Sequence, residues 1–109
     1  MSTGRINALL AMLERGQDSA LLRFSLGNEY SSLGHYERAV EHLRAATKLD
    51  RNYSAAWKLL GRSLAETGHD SDAISAYREG IAIAEQNGDR QAAKEMTVFL
   101  KRLLKKQHS

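Results

Sequence analysis

The sequence predicts an all-α fold of about six antiparallel helices, and three observations carry that prediction. Proline is absent, aromatic residues make up only 6% of the chain, and Ala, Leu, Glu, Arg and Lys dominate, residues that favour helix over strand. Sliding the 109-residue sequence against itself by 34 positions aligns Leu26 with Leu60, Gly27 with Gly61, Gly34 with Gly68, His35 with His69, Ala39 with Ala73 and Arg44 with Arg78. Between these identities lie apolar pairs, Val40 with Ile74, Leu43 with Tyr77 and Leu49 with Ile83, at the three- and four-residue spacing of one helix face. The repeating unit is therefore a pair of helices.

Each element has its own justification. The first helix, over 5–15, is in register with the second helix of a pair: subtracting 34 from Val40, Leu43 and Ala46 gives Ile6, Leu9 and Met12. The helices over 19–33 and 53–67 carry Gly27 and Gly61 in their interiors, where glycine costs roughly 1 kcal/mol relative to alanine, so close approach of a neighbouring helix should explain them. Asp18 is the expected N-cap of the first of these. Gly34 and Gly68 end them where a left-handed residue lets the chain reverse. The helices over 36–49 and 71–87 follow, with Ala39 and Ala73 small at the crossing point and Asp70 the expected N-cap of the later one. Gly88 and Asp89 supply a stop and the next N-cap. On the last helix, over 89–106, Ala92, Met96, Phe99, Leu100, Leu103 and Leu104 share one side and Lys94, Lys101, Arg102 and Lys105 the other, an amphipathic lid rather than a third full repeat.

Trp57, Leu60 and Gly61 match the W-x-x-L-G opening of the tetratricopeptide repeat, and Leu26, Gly27 and Tyr30 its L-G-x-x-Y continuation. The downstream A-x-x-x-F element corresponds to Ala39 with Leu43 and to Ala73 with Tyr77. The chain thus resembles that family over two repeats, 20–53 and 54–87, flanked by capping helices at 5–15 and 89–106 within one domain, 1–109. It departs from the pattern where Arg23 replaces the first Trp, Leu64 the second Tyr, and Arg51 and Glu85 the closing Pro. The resemblance implies an α-solenoid, similar to small stand-alone bacterial members of the family, whose work is to bind protein.

Composition bounds the alternatives. The length suits a single domain, and 42% hydrophobic with 27% charged residues is ordinary for a globular chain rather than a disordered one. Without cysteine there is neither a disulfide framework nor a thiolate metal site. The apolar run Ala8–Leu13 is bounded by Asn7, Glu14 and Arg15, too short for a signal peptide or a membrane span, so a cytoplasmic protein is expected. Net charge is +3, with Lys101, Arg102, Lys105 and Lys106 concentrating positive charge at the end and tilting the expectation toward acidic partners.

The resemblance further implies that the first helices of successive repeats line a concave groove for an extended peptide or a partner helix. Side chains there that the core register leaves free include Leu21, Phe24, Asn28, Ser31 and Ser32 on one helix and Ala55, Lys58, Arg62, Ala65 and Glu66 on the next. The candidate partner-binding set is Phe24, Asn28, Ser31, Lys58, Arg62 and Glu66, which would suit an apolar anchor beside a carboxylate. Against this stands the plainer reading that Lys58 and Arg62 are an ordinary solvated i,i+4 pair and that Phe24 stands in for the missing Trp. Of the polar set with which some members clamp a chaperone's terminal carboxylate, only Asn28 is matched, with Phe24 and Leu59 where donors are needed, so chaperone-tail recognition is not expected.

Three other classes compete. No catalytic residue, cofactor or metal is expected: four histidines, thirteen carboxylates and scattered serines form no nucleophile elbow, phosphate loop or H-E-x-x-H pattern. His35 and His69, one repeat apart, read as a duplicated turn residue sooner than as a metal pair. A basic helical repeat invites nucleic acid, but Asn28 aligns with Arg62 and Phe24 with Lys58, so no repeated base-reading code exists and groove aromatics are scarce; nucleic acid is not the expected partner. Self-association through the last helix, with Val98 on its charged side, is the remaining alternative to a monomer.

Overall fold

The computed structural model describes Ser2–His108, and among these residues there are six α-helices and no strand. In chain order they are α1 (Ser2–Glu14), α2 (Ala20–Ser32), α3 (Tyr36–Leu49), α4 (Ser54–Glu66), α5 (Asp70–Asn87) and α6 (Arg90–Gln107). α1 starts three residues before the expected position, at Ser2. The reversals after α1, α2, α4 and α5 use Gly16, Gly34, Gly68 and Gly88, all at φ between 76° and 81°, a region that costs other residues a Cβ clash.

Each helix packs on the next, and α2 also touches α4, as α4 touches α6. α1, α3 and α5 do not pack on one another, and only the exposed Arg44–Asp72 ion pair, at 3.6 Å, bridges α3 to α5 among the described residues. The array therefore curves, with α2, α4 and α6 closing on its inner side, within an envelope of 44 × 29 × 20 Å.

Within each pair the two interior glycines take the role their positions predict. A Cβ at Gly27 would come within 2.5 Å of Leu43 Cγ, and one at Gly61 within 2.5 Å of Tyr77 Cε1. The second helix of each pair thus presses a large side chain onto bare backbone of the first. Ala39 and Ala73, fully buried, keep the same crossing narrow. Leu26, Leu43, Leu60 and Met96, with essentially no exposure, form a continuous core along the array, each worth roughly 1.5–3 kcal/mol relative to exposure. Gly80 is a third close approach, overlooked in the sequence: a Cβ there would meet Met96 Sδ at 2.5 Å and Trp57 Cβ at 2.8 Å. The equivalent residue in the first repeat is Ala46, which has room for its methyl because no Trp sits opposite.

Two of the departures from the repeat pattern, Arg23 and Arg51, have local compensations. At the Trp position of the first repeat, Arg23 donates to both Asp18 oxygens, at 2.8 and 3.1 Å, and lies 3.1 Å from His42 Nδ1. His42 is buried and stacks on Tyr30, centroids 5.5 Å apart and planes 6° from parallel. One repeat later the same two positions hold Trp57 and Ala76, so a large ring beside a methyl replaces a slender guanidinium beside an imidazole. Where the closing Pro is missing, the Arg51 carbonyl accepts from Trp57 Nε1 at 2.8 Å, and its guanidinium lies 5.9 Å from the Trp57 ring centroid and pairs with Glu79. Arg51 holds the loop by contacts in place of a rigid ring.

Two N-cap assignments need correction. Ser19, not Asp18, caps α2, its Oγ accepting from the Leu22 amide at 3.1 Å. Asp18 is instead occupied by Arg23, which holds its carboxyl below the usual range despite partial desolvation. His69 holds the N-cap position of α5, and Asp70 is the first helical residue, joined to Lys106 of α6 at 3.0 Å. Asp89 caps α6 as expected, accepting from the Ala92 amide.

These contacts predict two stability effects. Gly61→Ala gains about 1 kcal/mol of helix propensity but drives a methyl into the buried Tyr77 ring, and is expected to lower stability by a net of about 1–2 kcal/mol in urea denaturation. An unchanged midpoint would show that the Tyr77 ring swings clear. Burial pushes the His42 imidazole below its ordinary 6.5, with Arg23 and Arg38 adding to that and Glu41 and Asp18 opposing it. The unfolded chain therefore binds the proton more readily, so this contribution is present above about pH 6.5 and lost as pH falls below it. Between about pH 7.5 and about pH 5.5 the urea midpoint is expected to fall in the wild type and to change less in His42→Gln, which keeps an acceptor for Arg23 without titrating.

Candidate partner-binding surface

The inner side of the curve is where α2, α4 and α6 present side chains that the core does not use. On α2 these include Leu21, Asn28 and Ser32, all exposed, Leu21 at 66%. On α4 they are Lys58, Arg62, Ala65 and Glu66, and on α6 Glu95, Phe99 and Arg102.

The six predicted site residues divide. Arg62 and Glu66 line an open cleft of about 410 Å³ between α4 and α6. Asn28 is exposed on α2, beside a smaller depression of about 300 Å³ lined also by Arg5, Leu9, Phe24, Ser25 and Glu29. Ser31 is only 8% exposed, and it offers a partner almost nothing. Phe24 is half-buried against Tyr53, ring centroids 4.9 Å apart, so it joins α2 to the start of α4; it does not fill the Trp position, which Arg23 occupies. Lys58 is committed to Glu95 of α6 at 2.8 Å, a contact that lowers the Glu95 carboxyl. The expected i,i+4 pair of free cations is thus one free cation, Arg62, and one interhelical clasp.

The cleft between α4 and α6 was not legible as a unit. Its floor is Ala65, Tyr77, Phe99 and Leu103, and its rim Arg62 and Glu66 on one side and Arg102 on the other. Tyr77 is 2% exposed, and burial pushes its hydroxyl up to about 12, so it stays neutral, with the nearby Arg62 lowering it and Glu66 raising it. Phe99 packs on Tyr77 at 5.9 Å and carries the Arg102 guanidinium 5.8 Å from its ring centroid. The signal that could have found this is a register of 36, not 34: it maps the start of α4, Ser54, onto the start of α6, Arg90, and buried Ala56 and Leu60 onto buried Ala92 and Met96. Two residues more between α4 and α6 than one repeat contains hide the correspondence of α6 to the first helix of a repeat.

The remaining expectations are placed as follows. His35 and His69 occupy the same turn position, with φ of −89° and −92°. No group of three or more potential metal ligands occurs among the described residues. Val98 is 47% exposed, but its exposed neighbours on that face, Lys94, Lys101 and Arg102, are charged, so no apolar patch surrounds it. No described helix is long and apolar enough to cross a membrane.

A curved stack of helix pairs with close-packing glycines and an open inner surface defines an α-helical repeat domain. The pattern described as tetratricopeptide repeat matches residues 24–88, and the chain belongs to the tetratricopeptide repeat family. It is 49% identical over 98 residues to the TPR repeat-containing protein PA0015 of Pseudomonas aeruginosa, covering 90% of this chain and 93% of that protein. Protein BPP2914 of Bordetella parapertussis, known from a solution structure, is similar at 44% identity with a TM-score of 0.79, over 93% of this chain and 88% of that one. The Sgt2 TPR domain of Aspergillus fumigatus, in its crystal structure, matches at 27% identity and a TM-score of 0.84 over 98% of this chain and 70% of that one. Domains of this family are typically protein–protein interaction modules.

The interhelical clasp yields a direct test. Lys58→Glu sets two carboxylates together between α4 and α6 and is expected to lower the thermal midpoint, while adding Glu95→Lys recovers much of the loss. Failure of the swapped pair to recover anything would show that Lys58 matters through its packed methylenes rather than its charge.

Proposed function

We propose that this protein is a non-enzymatic binding module that holds a peptide or partner helix along its inner surface, with Asn28, Arg62 and Glu66 of the original site set joined by Phe99 and Arg102. The observation that carries the reading is the open cleft of about 410 Å³ between α4 and α6, an apolar floor rimmed by charged side chains and the size of a ligand site. The fold and the family support protein binding in general, and the cleft on the inner surface supports this location for it. The partner is a protein rather than nucleic acid. A phosphate backbone needs cations in a continuous track, and here the cations of the inner surface are interrupted by Glu66 and Glu95 and one of them, Lys58, is already paired.

The experiment is affinity capture from a cell extract, with and without nuclease, using wild type beside the double variant Asn28→Asp, Arg62→Glu. Lys58 is left intact because altering it would disturb the α4–α6 contact itself. A nuclease-resistant protein band held by wild type and lost from the folded variant is the expected result. Retention by both moves the site off the inner surface, and recovery of nuclease-sensitive material alone overturns protein binding.

A further inference from the structure

Charge is unevenly distributed along this molecule. Arg90–Gln107 carries four lysines and two arginines against one acid, Glu95, a net of +5, so the rest of the chain, within a total of +3, carries −2. Lys106 is tied to Asp70, and Glu95 is matched by Lys58. Arg102, by contrast, makes no ion pair shown by the structure; it is laid over Phe99, which fixes it at the lip of the cleft. Across the opening stands Arg62, also outside the ion pairs, one helical turn from Glu66. Two guanidiniums thus face a floor of Ala65, Phe99 and Leu103, with a single carboxylate between them and neutrality.

From this juxtaposition we infer that the cleft between α4 and α6 is a subsite for an internal acidic segment of a protein partner: one aromatic or large aliphatic side chain seated on Phe99 and Leu103, with carboxylates before and after it taken by Arg62 and Arg102. This inference rests on the groove reading and narrows it to one place and one chemistry. The segment is internal because the two arginines lie on opposite helices with the apolar floor between them, so the acceptors must flank the anchor rather than converge at a chain end. Guanidiniums suit the task, since each offers a planar fork to a carboxylate and is weakly hydrated beside an aromatic ring. Anionic polymers without an apolar anchor leave the floor empty.

The test is a titration of isotope-labelled protein followed by amide chemical shifts, with a short peptide acetylated and amidated at its ends and carrying one Phe between pairs of Glu. Saturable shifts at residues 62–66 and 99–103 are expected, with affinity weaker by roughly tenfold in Arg62→Glu, Arg102→Glu and reduced in Arg102→Gln, which keeps the fold under the mildest change. Lys48→Glu, on an exposed face of α3, should leave the affinity unchanged. Equal binding by peptides with Ser in place of Phe, or Lys in place of Glu, overturns the inference. So does tighter binding of a short oligothymidine to the same residues, or the absence of saturable shifts. Shifts confined to α2 remove the subsite while leaving the groove reading standing, and the capture experiment decides that reading independently.

Discussion

The contact on which the rest of this structure depends is the pressing of one bulky side chain onto bare backbone inside each helix pair. Leu43 on Gly27 and Tyr77 on Gly61 bring the paired axes close enough for Ala39 and Ala73 to be fully buried where the helices cross. Removing a Cβ from a helix interior costs about 1 kcal/mol of propensity, and that cost is offset by the dispersion and burial of a Leu or a Tyr ring at the tightest point of the core. Curvature follows from the same packing, because α2, α4 and α6 approach one another while α1, α3 and α5 do not. The inner surface is a consequence of core geometry before it is a binding site.

The ends of the array show how the same contact is withheld. α1 corresponds in register to the second helix of a repeat, and α6 to the first. At the position equivalent to Ala39, α1 carries Arg5, and at the position equivalent to Gly61 in the register of 36, α6 carries Thr97. A guanidinium, which reaches Glu29 of α2 at 3.7 Å, and a β-branched side chain stand where the internal pairs have small residues. Leu9, which has no glycine to fill, remains only partly buried, and Met12, equivalent to fully buried Ala46, is exposed. The lysines of α6 add charge to a surface that would otherwise invite another repeat.

How much of this was legible in the sequence depended on whether a residue acted within the 34-residue register or across a break in it. Gly27 with Gly61 and Ala39 with Ala73 repeat, and Leu43 with Tyr77 repeats in size, so their roles could be read from position alone, and the fold with them. Gly80 has Ala46 as its counterpart and drew no notice, although the crowding of Trp57 and Met96 makes it as constrained as the other two. The candidate site was less legible. Arg62 and Glu66 line the cleft, but Ser31 is buried, Phe24 packs on Tyr53 and Lys58 pairs with Glu95, contacts between helices that a flat alignment does not display. Phe99 and Arg102 were assigned to opposite sides of a lid, when a shift of two residues places both at the mouth of the cleft.

That shift is also what gives the molecule an asymmetric inner surface. Between α2 and α4 the seam is filled by Phe24 and Tyr53, which close it with aromatic carbon. Between α4 and α6 one end of the seam is closed by the Lys58–Glu95 pair, while the other opens where Phe99 leans away onto Tyr77 and takes Arg102 with it. Tyr77 therefore serves two surfaces at once: one edge of its ring fills the space above Gly61, and its partner Phe99 sets the cleft floor. The side chain that holds the second repeat together is thus also the one on which the candidate binding surface stands.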